Sequence, residues 1–241
     1  MELNKVPVLI LAGGLGTRLR PIISDRPKVL APLGHTTVLD FILEHLFALG
    51  LRDITLCVGY MKEKVRAHIN DRSIPKDAIV SFSEEDSPLG TGGAIKKALQ
   101  GCRAEMALVL NGDTIFPVDY ALLLDQHTKN NADVSIALCE VEHTGRFGTV
   151  ITDDTGRIIG FKEKDATNAA GMISAGVYTF KKDVIERFEL PAAFSLEKDF
   201  FEKHTDEIRM HGLVFSDDFI DIGLPEDHAK AHAHVTAGRH F

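Results

Sequence analysis

The apolar positions of this chain follow two rhythms that take turns. A solid apolar run at 6–12, "VPVLILA", gives way to "TTVLDFILEHLFALG" at 36–50, where apolar residues recur every three or four positions. The first predicts a buried strand. The second predicts a helix capped by Thr36 or Thr37 and stopped at Gly50. The alternation continues with a strand at 53–60, a helix in "KEKVRAHIND", a strand at 78–83, a glycine-bounded helix at 91–101 and a strand at 106–113.

Solid strands separated by amphipathic helices imply βαβ units and a parallel sheet covered on both faces. After about residue 133 the pattern changes. "DVSIALCEV", "FGTVITDDTGRIIGFKEK" and "AGVYTF" read as shorter strands, with a hairpin signal at "DDTG". Helices are predicted near 195–204 and 225–236. No internal repeat, low-complexity tract or linker interrupts the chain. The expectation is an α/β fold: a Rossmann-like mixed, mainly parallel sheet covered by helices on both faces. A single domain over 1–241 is expected, with a front half of βαβ units (about 1–132) and a mixed back half (about 133–241).

Composition narrows the partners. The 241 residues, 44% of them hydrophobic, can fill a core of that size. The net charge of −8 supplies no basic field for nucleic acid. The first apolar run is too short to span a membrane, and no leader pattern precedes it. A cytoplasmic chain with no nucleic-acid or membrane partner is expected, and a homo-oligomer is left open. Three cysteines without a CxxC spacing argue against a disulfide framework or structural zinc.

Ligands of parallel α/β sheets bind beyond the carboxyl ends of the strands. Here the polar motifs follow the strands, at 13–18, 83–93 and 111–113. In "LAGGLGTRLRP", Gly13, Gly14 and Gly16 expose successive N–H groups, which form an anion nest. Arg18 adds a guanidinium fork suited to phosphate oxygens. Arg18, Arg20, Arg26 and Lys28 lie within eleven residues, opposed only by Asp25. The loop is neither G-x-G-x-x-G, since Leu19 takes the third glycine's place, nor a Walker loop. The glycines alone would also suit a plain strand-to-helix turn. The cations behind them favour a polyanion.

"LAGGLGTRLRP" followed by "RPKVLAPLG" resembles the signature of sugar-nucleotide pyrophosphorylases, which join a sugar 1-phosphate to a nucleoside triphosphate. The likeness covers nearly the whole chain. It continues through "PLGTGGA" (88–94), "NGDT" (111–114), "RFG" (146–148), "FKEK" (161–164), "SAGVY" (174–178) and "DIGLPED" (221–227). The texture is most similar to the heptose 1-phosphate guanylyltransferase branch. The resemblance implies the nucleotide-diphospho-sugar transferase type of fold. It also implies in-line attack of a sugar 1-phosphate oxygen on the nucleotide α-phosphorus, with pyrophosphate leaving.

Both reactants are polyanions, so such a site needs cations and a metal rather than a nucleophile. The resemblance assigns Asp113 and Asp221 to a divalent ion, Mg2+, whose hard oxygen preference they suit. It assigns Arg18 to the leaving pyrophosphate and Lys28 to the α-phosphate. Arg18, Lys28 and Asp113 are thus the catalytic candidates, and Arg26 is a candidate for orienting the loop. Leu11, Ala12, Gly13, Gly14, Gly16, Thr17, Asn111 and Gly112 are placed around the nucleotide, with Leu11 and Gly13 giving main-chain contacts. Gly90, Thr91 and Gly92 would lie against the base. On the sugar side stand Gly148, Glu163, Lys164, Ser174 and Gly176. Many relatives carry asparagine where Ser174 stands, and Lys162 competes with Lys164. Positions 162 and 164 share a strand face that 163 opposes, so a bulge or strand end is implied near them.

Glu85 bears on the base. Several pyrophosphorylases carry glutamine at its position, five residues before Gly90. A carboxylate only accepts hydrogen bonds, and guanine offers N1–H and a 2-amino group side by side. This favours GTP, unless 84–86 is simply a solvated acidic loop. His228 and His232, four apart, have zinc-ligand spacing, with His234 and His240 beyond. No third ligand is positioned with them, and a solvated helix face is the plainer reading. Three other readings stay open. One is the same transfer with a uridylyl, cytidylyl or adenylyl group. Another is a glycosyltransferase, which "NGDT" does not favour because it lacks D-x-D. The third is a non-catalytic sugar-nucleotide-binding subunit.

Overall fold

Val8 and Ile10 of the first strand belong to one buried cluster, and Leu9 between them belongs to another. That split is how a two-sided sheet uses a solid apolar run: successive side chains go to opposite faces, and each face has its own core. The computed structural model describes residues 2–19, 23–162, 169–216 and 218–236, the His234 side chain excepted. In chain order its elements are β1 (Val8–Leu11), the ribbon β2 and β3 (Pro32–Leu33, Thr36–Thr37), α1 (Val38–Ala48), β4 (Asp53–Val58), α2 (Lys62–Asn70), β5 (Ile79–Glu84), α3 (Gly90–Gly101) and β6 (Met106–Asn111). There follow β7 (Thr114–Ile115), α4 (Tyr120–Lys129), β8 (Val134–Val141), β9 (Thr149–Thr152), β10 (Ile158–Lys162), β11 (Gly171–Lys181), β12 (Met210–Phe215), β13 (Ile220–Asp221) and α5 (Pro225–Thr236).

Strands β5, β4, β1 and β6 are adjacent and parallel. Antiparallel β11 continues that sheet from β6, so the two halves of the chain share nine strands. β8 pairs with β11, and β12 runs parallel to β8. The β9–β10 hairpin joins at Ile173, opposite Thr149. Its turn is fixed by Asp153 Oδ1, which accepts from the N–H groups of Thr155 (2.9 Å) and Arg157 (3.1 Å). Apolar residues of α1, α2, α4 and α5 fill one face, and those of α3 with Phe200 and Phe201 fill the other.

The cap of α1 is Thr37, whose hydroxyl accepts from Asp40 N–H at 3.2 Å. Two elements escaped the periodicity. α4 starts at Asp119, whose side chain accepts from Leu122 N–H at 2.9 Å. Its run of three leucines, of which Leu122 is exposed, blurs the helical spacing. β12 is parallel and lies at the sheet's edge beside β8. The helix expected at 195–204 is a π-helical turn, Leu196–Phe201, closed by Glu202 N–H to Glu197 O at 2.9 Å. It buries the consecutive rings of Phe200 and Phe201. Cys57, Cys102 and Cys139 are free and buried. Among the described residues no helix is long and apolar enough to cross a membrane.

Candidate active site

The carboxyl ends of β1 and β6 open into a cleft of about 250 Å³. Leu11, Ala12, Gly14, Gly16, Thr17, Arg18, Lys28, Thr91, Asn111 and Asp113 line it, together with Val29 and Gly223. The glycine loop, Arg18, Lys28, Thr91 and the end of β6 therefore meet, as the order of motifs along the chain implied.

Local chain geometry places the charges. After Pro27 the chain makes a 3-10 turn, Lys28–Leu30, whose Val29 and Leu30 are buried and anchor Lys28 from below. Lys28 Nζ donates to Asp113 Oδ2 at 2.7 Å and stands 3.7 Å from Asp221 Oδ1. The two acids are 108 positions apart in sequence. They are brought together by β7 and β13, which pair Thr114 with Asp221 and Ile115 with Ile220. Ile222 N–H also donates to Asp113 O at 2.9 Å. Burial, and then the charge of Asp113, hold the Asp221 carboxyl above its usual pKa, while Lys28, Arg18 and Arg146 pull it down. The site is thus a pair of hard oxygen donors gathered around one ammonium. Two carboxylates, with water and phosphate completing the shell, fit Mg2+. Among the described residues no group of three or more His, Cys, Asp or Glu could hold a metal, so such an ion would depend on its substrate for ligands.

Several residues expected at the nucleotide also hold the fold together. The Leu11 carbonyl accepts from Gly112 N–H (3.0 Å) and the Gly13 carbonyl from Tyr60 N–H (3.3 Å), so both are engaged within the fold. Of Gly90, Thr91 and Gly92, only Thr91 lines the cleft. Its hydroxyl accepts from Leu196 N–H at 2.9 Å. Gly92 is buried beneath the Phe194 ring, which would clash with any Cβ there, and its N–H donates to Phe194 O at 3.1 Å. These glycines let α3 pack against the segment around Phe194. Glu85 is half-buried. Its Oε2 accepts from Leu89 N–H at 2.9 Å, and its Oε1 lies 3.0 Å from where a Cβ on Gly13 would be. The carboxylate is therefore pinned at the rim of the glycine loop. It is a fixed group and not one of a freely solvated acidic run, although Asp86 beside it is exposed.

Arg18 is exposed at the cleft. Arg26 pairs with Asp25 at 2.7 Å. On the sugar side, β11 shifts register between Ser174 and Tyr178. Gly176 sits in that irregularity with φ +72°, and a Cβ on it would lie 2.5 Å from Asn111 Nδ2. Ser174 Oγ donates to the Tyr178 hydroxyl (3.0 Å) and accepts from Gly176 N–H (3.3 Å). Gly148 precedes β9 and faces the Lys162 carbonyl. Lys162 is exposed at the last residue of β10. Arg20, Glu163, Lys164 and His240 lie outside the described residues. His228 Nε2 donates to Pro32 O at 2.7 Å, tying α5 to β2.

One site residue was missed by the sequence reading. Arg146, in the "RFG" stretch, stands 3.7 Å from Asp221 Oδ2 and 2.7 Å from Asp227 Oδ2.

The chain matches the family described as nucleotidyl transferase over residues 7–238. It belongs to that family. It is 39% identical to D-glycero-alpha-D-manno-heptose 1-phosphate guanylyltransferase of Aneurinibacillus thermoaerophilus, over 92% of this chain and 95% of that protein. It is 38% identical to the Campylobacter jejuni protein of the same name, over 91% and 96% respectively. A crystal structure of HddC from Yersinia pseudotuberculosis complexed with GMP-PN superposes with a TM-score of 0.81 at 32% identity. That match covers 95% of this chain and 99% of HddC. The mixed, mainly parallel sheet expected from the sequence is the architecture these nucleotidyltransferases share.

Proposed function

We propose that this chain transfers a guanylyl group from GTP to D-glycero-α-D-manno-heptose 1-phosphate, releasing pyrophosphate and forming GDP-heptose. The observation that carries the reading is the meeting of Arg18, Lys28 and Asp113 at one cleft, with Asp221 3.7 Å from the Lys28 ammonium. The choice of base and sugar rests on the heptose 1-phosphate guanylyltransferases that match along nearly their whole length.

A sugar-phosphate oxygen forms a bond to the α-phosphorus while the bond from that phosphorus to the bridging oxygen of pyrophosphate breaks. No proton need move, so the protein's task is to gather and neutralise charge. The glycine loop offers N–H groups to the triphosphate, and Arg18 meets the departing pyrophosphate. Lys28, drawn from its bond with Asp113, meets the α-phosphate. Asp113 and Asp221 would hold Mg2+, which would supply positive charge to offset that of the phosphates. Glu85, fixed by the Leu89 N–H, presents its remaining acceptor capacity to guanine N1–H and the 2-amino group.

A matrix of four nucleoside triphosphates against several sugar 1-phosphates, with and without Mg2+, tests this by pyrophosphate release. Metal-dependent release with GTP and the heptose 1-phosphate, well above every other pair, is the expected result. Preference for another base or sugar would leave the transfer chemistry and replace the substrates. No release with any pair would end the catalytic reading and favour a nucleotide-binding subunit.

A further inference from the structure

Asp221 presents its two oxygens to two different cations. Oδ1 faces Lys28 Nζ at 3.7 Å and Oδ2 faces Arg146 Nη2 at 3.7 Å. Arg146 is in turn held by Asp227 Oδ2 at 2.7 Å, and Asp227 is only 8% exposed. Its guanidinium lies over the Phe147 ring, 5.4 Å from the centroid. Phe147 packs edge-on against Phe219, just ahead of β13. The arginine is thus held by Asp227 and Phe147 and stands beside the Asp221 oxygen that does not face Lys28. Neither Arg146 nor Asp227 lines that cleft.

We infer that Arg146 is a positioning residue, which with Asp227 as its anchor turns one oxygen of Asp221 away from the cleft and leaves the other for the metal. This rests on the transfer reading above and adds a second layer to it. A half-buried carboxylate beside another acid needs its orientation set, because charge repulsion from Asp113 favours rotation away. Outer partners that orient a ligating carboxylate change metal affinity by about 10–100-fold when removed. A single atom, Nη2, faces both carboxylates, so the link from Asp227 to Asp221 runs through one corner of the guanidinium. Arg146 also sits two residues before Gly148, so the sugar-side loop and the metal carboxylate share one tether.

The test uses the full chain and Mn2+ as a probe, followed by water-proton relaxation. The nucleoside triphosphate that supports transfer is present and the sugar phosphate is withheld. Arg146→Met should weaken Mn2+ binding about 10-fold or more and raise the half-saturating Mg2+ concentration of the reaction to match. Triphosphate affinity measured in chelator should stay within about twofold of the unaltered chain. Arg146→Lys should recover part of the loss. Asp227→Asn should weaken Mn2+ binding in the native background and add little to Arg146→Met, since both act through one link. Circular dichroism identifies any variant that fails to fold, and Arg146→Lys keeps the test decisive in that case. Equal Mn2+ affinity in native and Arg146→Met chains overturns this inference alone. A raised KM for the sugar 1-phosphate with unchanged Mn2+ affinity also overturns it, by placing Arg146 on substrate. Failure of the native chain to bind Mn2+ with any triphosphate overturns the metal reading and this inference together.

Discussion

The Lys28 ammonium sits between the carboxylates of Asp113 and Asp221, 2.7 Å from one and 3.7 Å from the other. On the proposed reading it stands where the two acids would hold an ion, and it leaves that position to meet a phosphate. Lys28→Met removes both services. The expected loss is about 10²–10³ in kcat, the scale for deleting one donor to transition-state charge. Pyrophosphate release under saturating substrates, with folding verified by circular dichroism, measures it. Activity within threefold of the native chain would show that Lys28 meets no reacting phosphate.

Glu85 touches the glycine loop through one oxygen and the Leu89 N–H through the other. Glu85→Gln keeps the shape and can retain the Leu89 bond, but it replaces an acceptor with an amide donor. A hydrogen bond to a charged group contributes about 1.5–3 kcal/mol, so the GTP-to-UTP ratio of kcat/KM should fall about 10-fold or more. An unchanged ratio would remove Glu85 from base selection.

Gly176 bends β11 at a left-handed backbone position directly against Asn111. Gly176→Ala should destabilise the fold by about 1–2 kcal/mol from backbone conformation alone, with crowding of Asn111 added. Urea unfolding with an unchanged m-value reads the stability loss. Because Asn111 lines the cleft, KM for the triphosphate should rise in the same variant. A stable protein with native KM would contradict the contact.

His127 is buried on α4, with Nδ1 2.9 Å from Ser135 Oγ. Burial, then Lys181, push its pKa from 6.5 down to about 4, against a partial pull from Asp133. The unfolded chain takes up a proton below about pH 6.5 and the folded chain does not. Stability is thus highest above that pH, falls as pH drops toward about 4, and levels off below it. The full swing from this one group is about 3 kcal/mol. His127→Gln should flatten the fall between pH 6.5 and 4 in urea titrations. An unaltered slope would mean that the group titrates alike in both states.

Most of the parallel half was legible because its strands are solid apolar runs and its helices have clear spacing. Strand β1 and helix α1 lie within the stretches predicted for them. Elements whose signal is tertiary were not legible. α4 hides its stripe in consecutive leucines, and the π-helical turn at 196–201 is set by where Phe200 and Phe201 pack. The cations and acids of the site could be named from their motifs. The resemblance already set Asp113 beside Asp221, but the β7–β13 ribbon that joins them is too short to leave a pattern of its own. Arg146 opens the "RFG" stretch, but its partner was not legible, because an arginine in a loop reads as solvated until the acid across from it is known.

The ribbon joining Thr114 to Asp221 also bears on synthesis. While the chain is emerging from the ribosome, the glycine loop and Asp113 are made long before the second acid exists. On the proposed reading, a growing chain would carry the glycine loop with only half of the ion site. Committing both acids to one late-closing stitch would then hold back the transfer until the back half has docked.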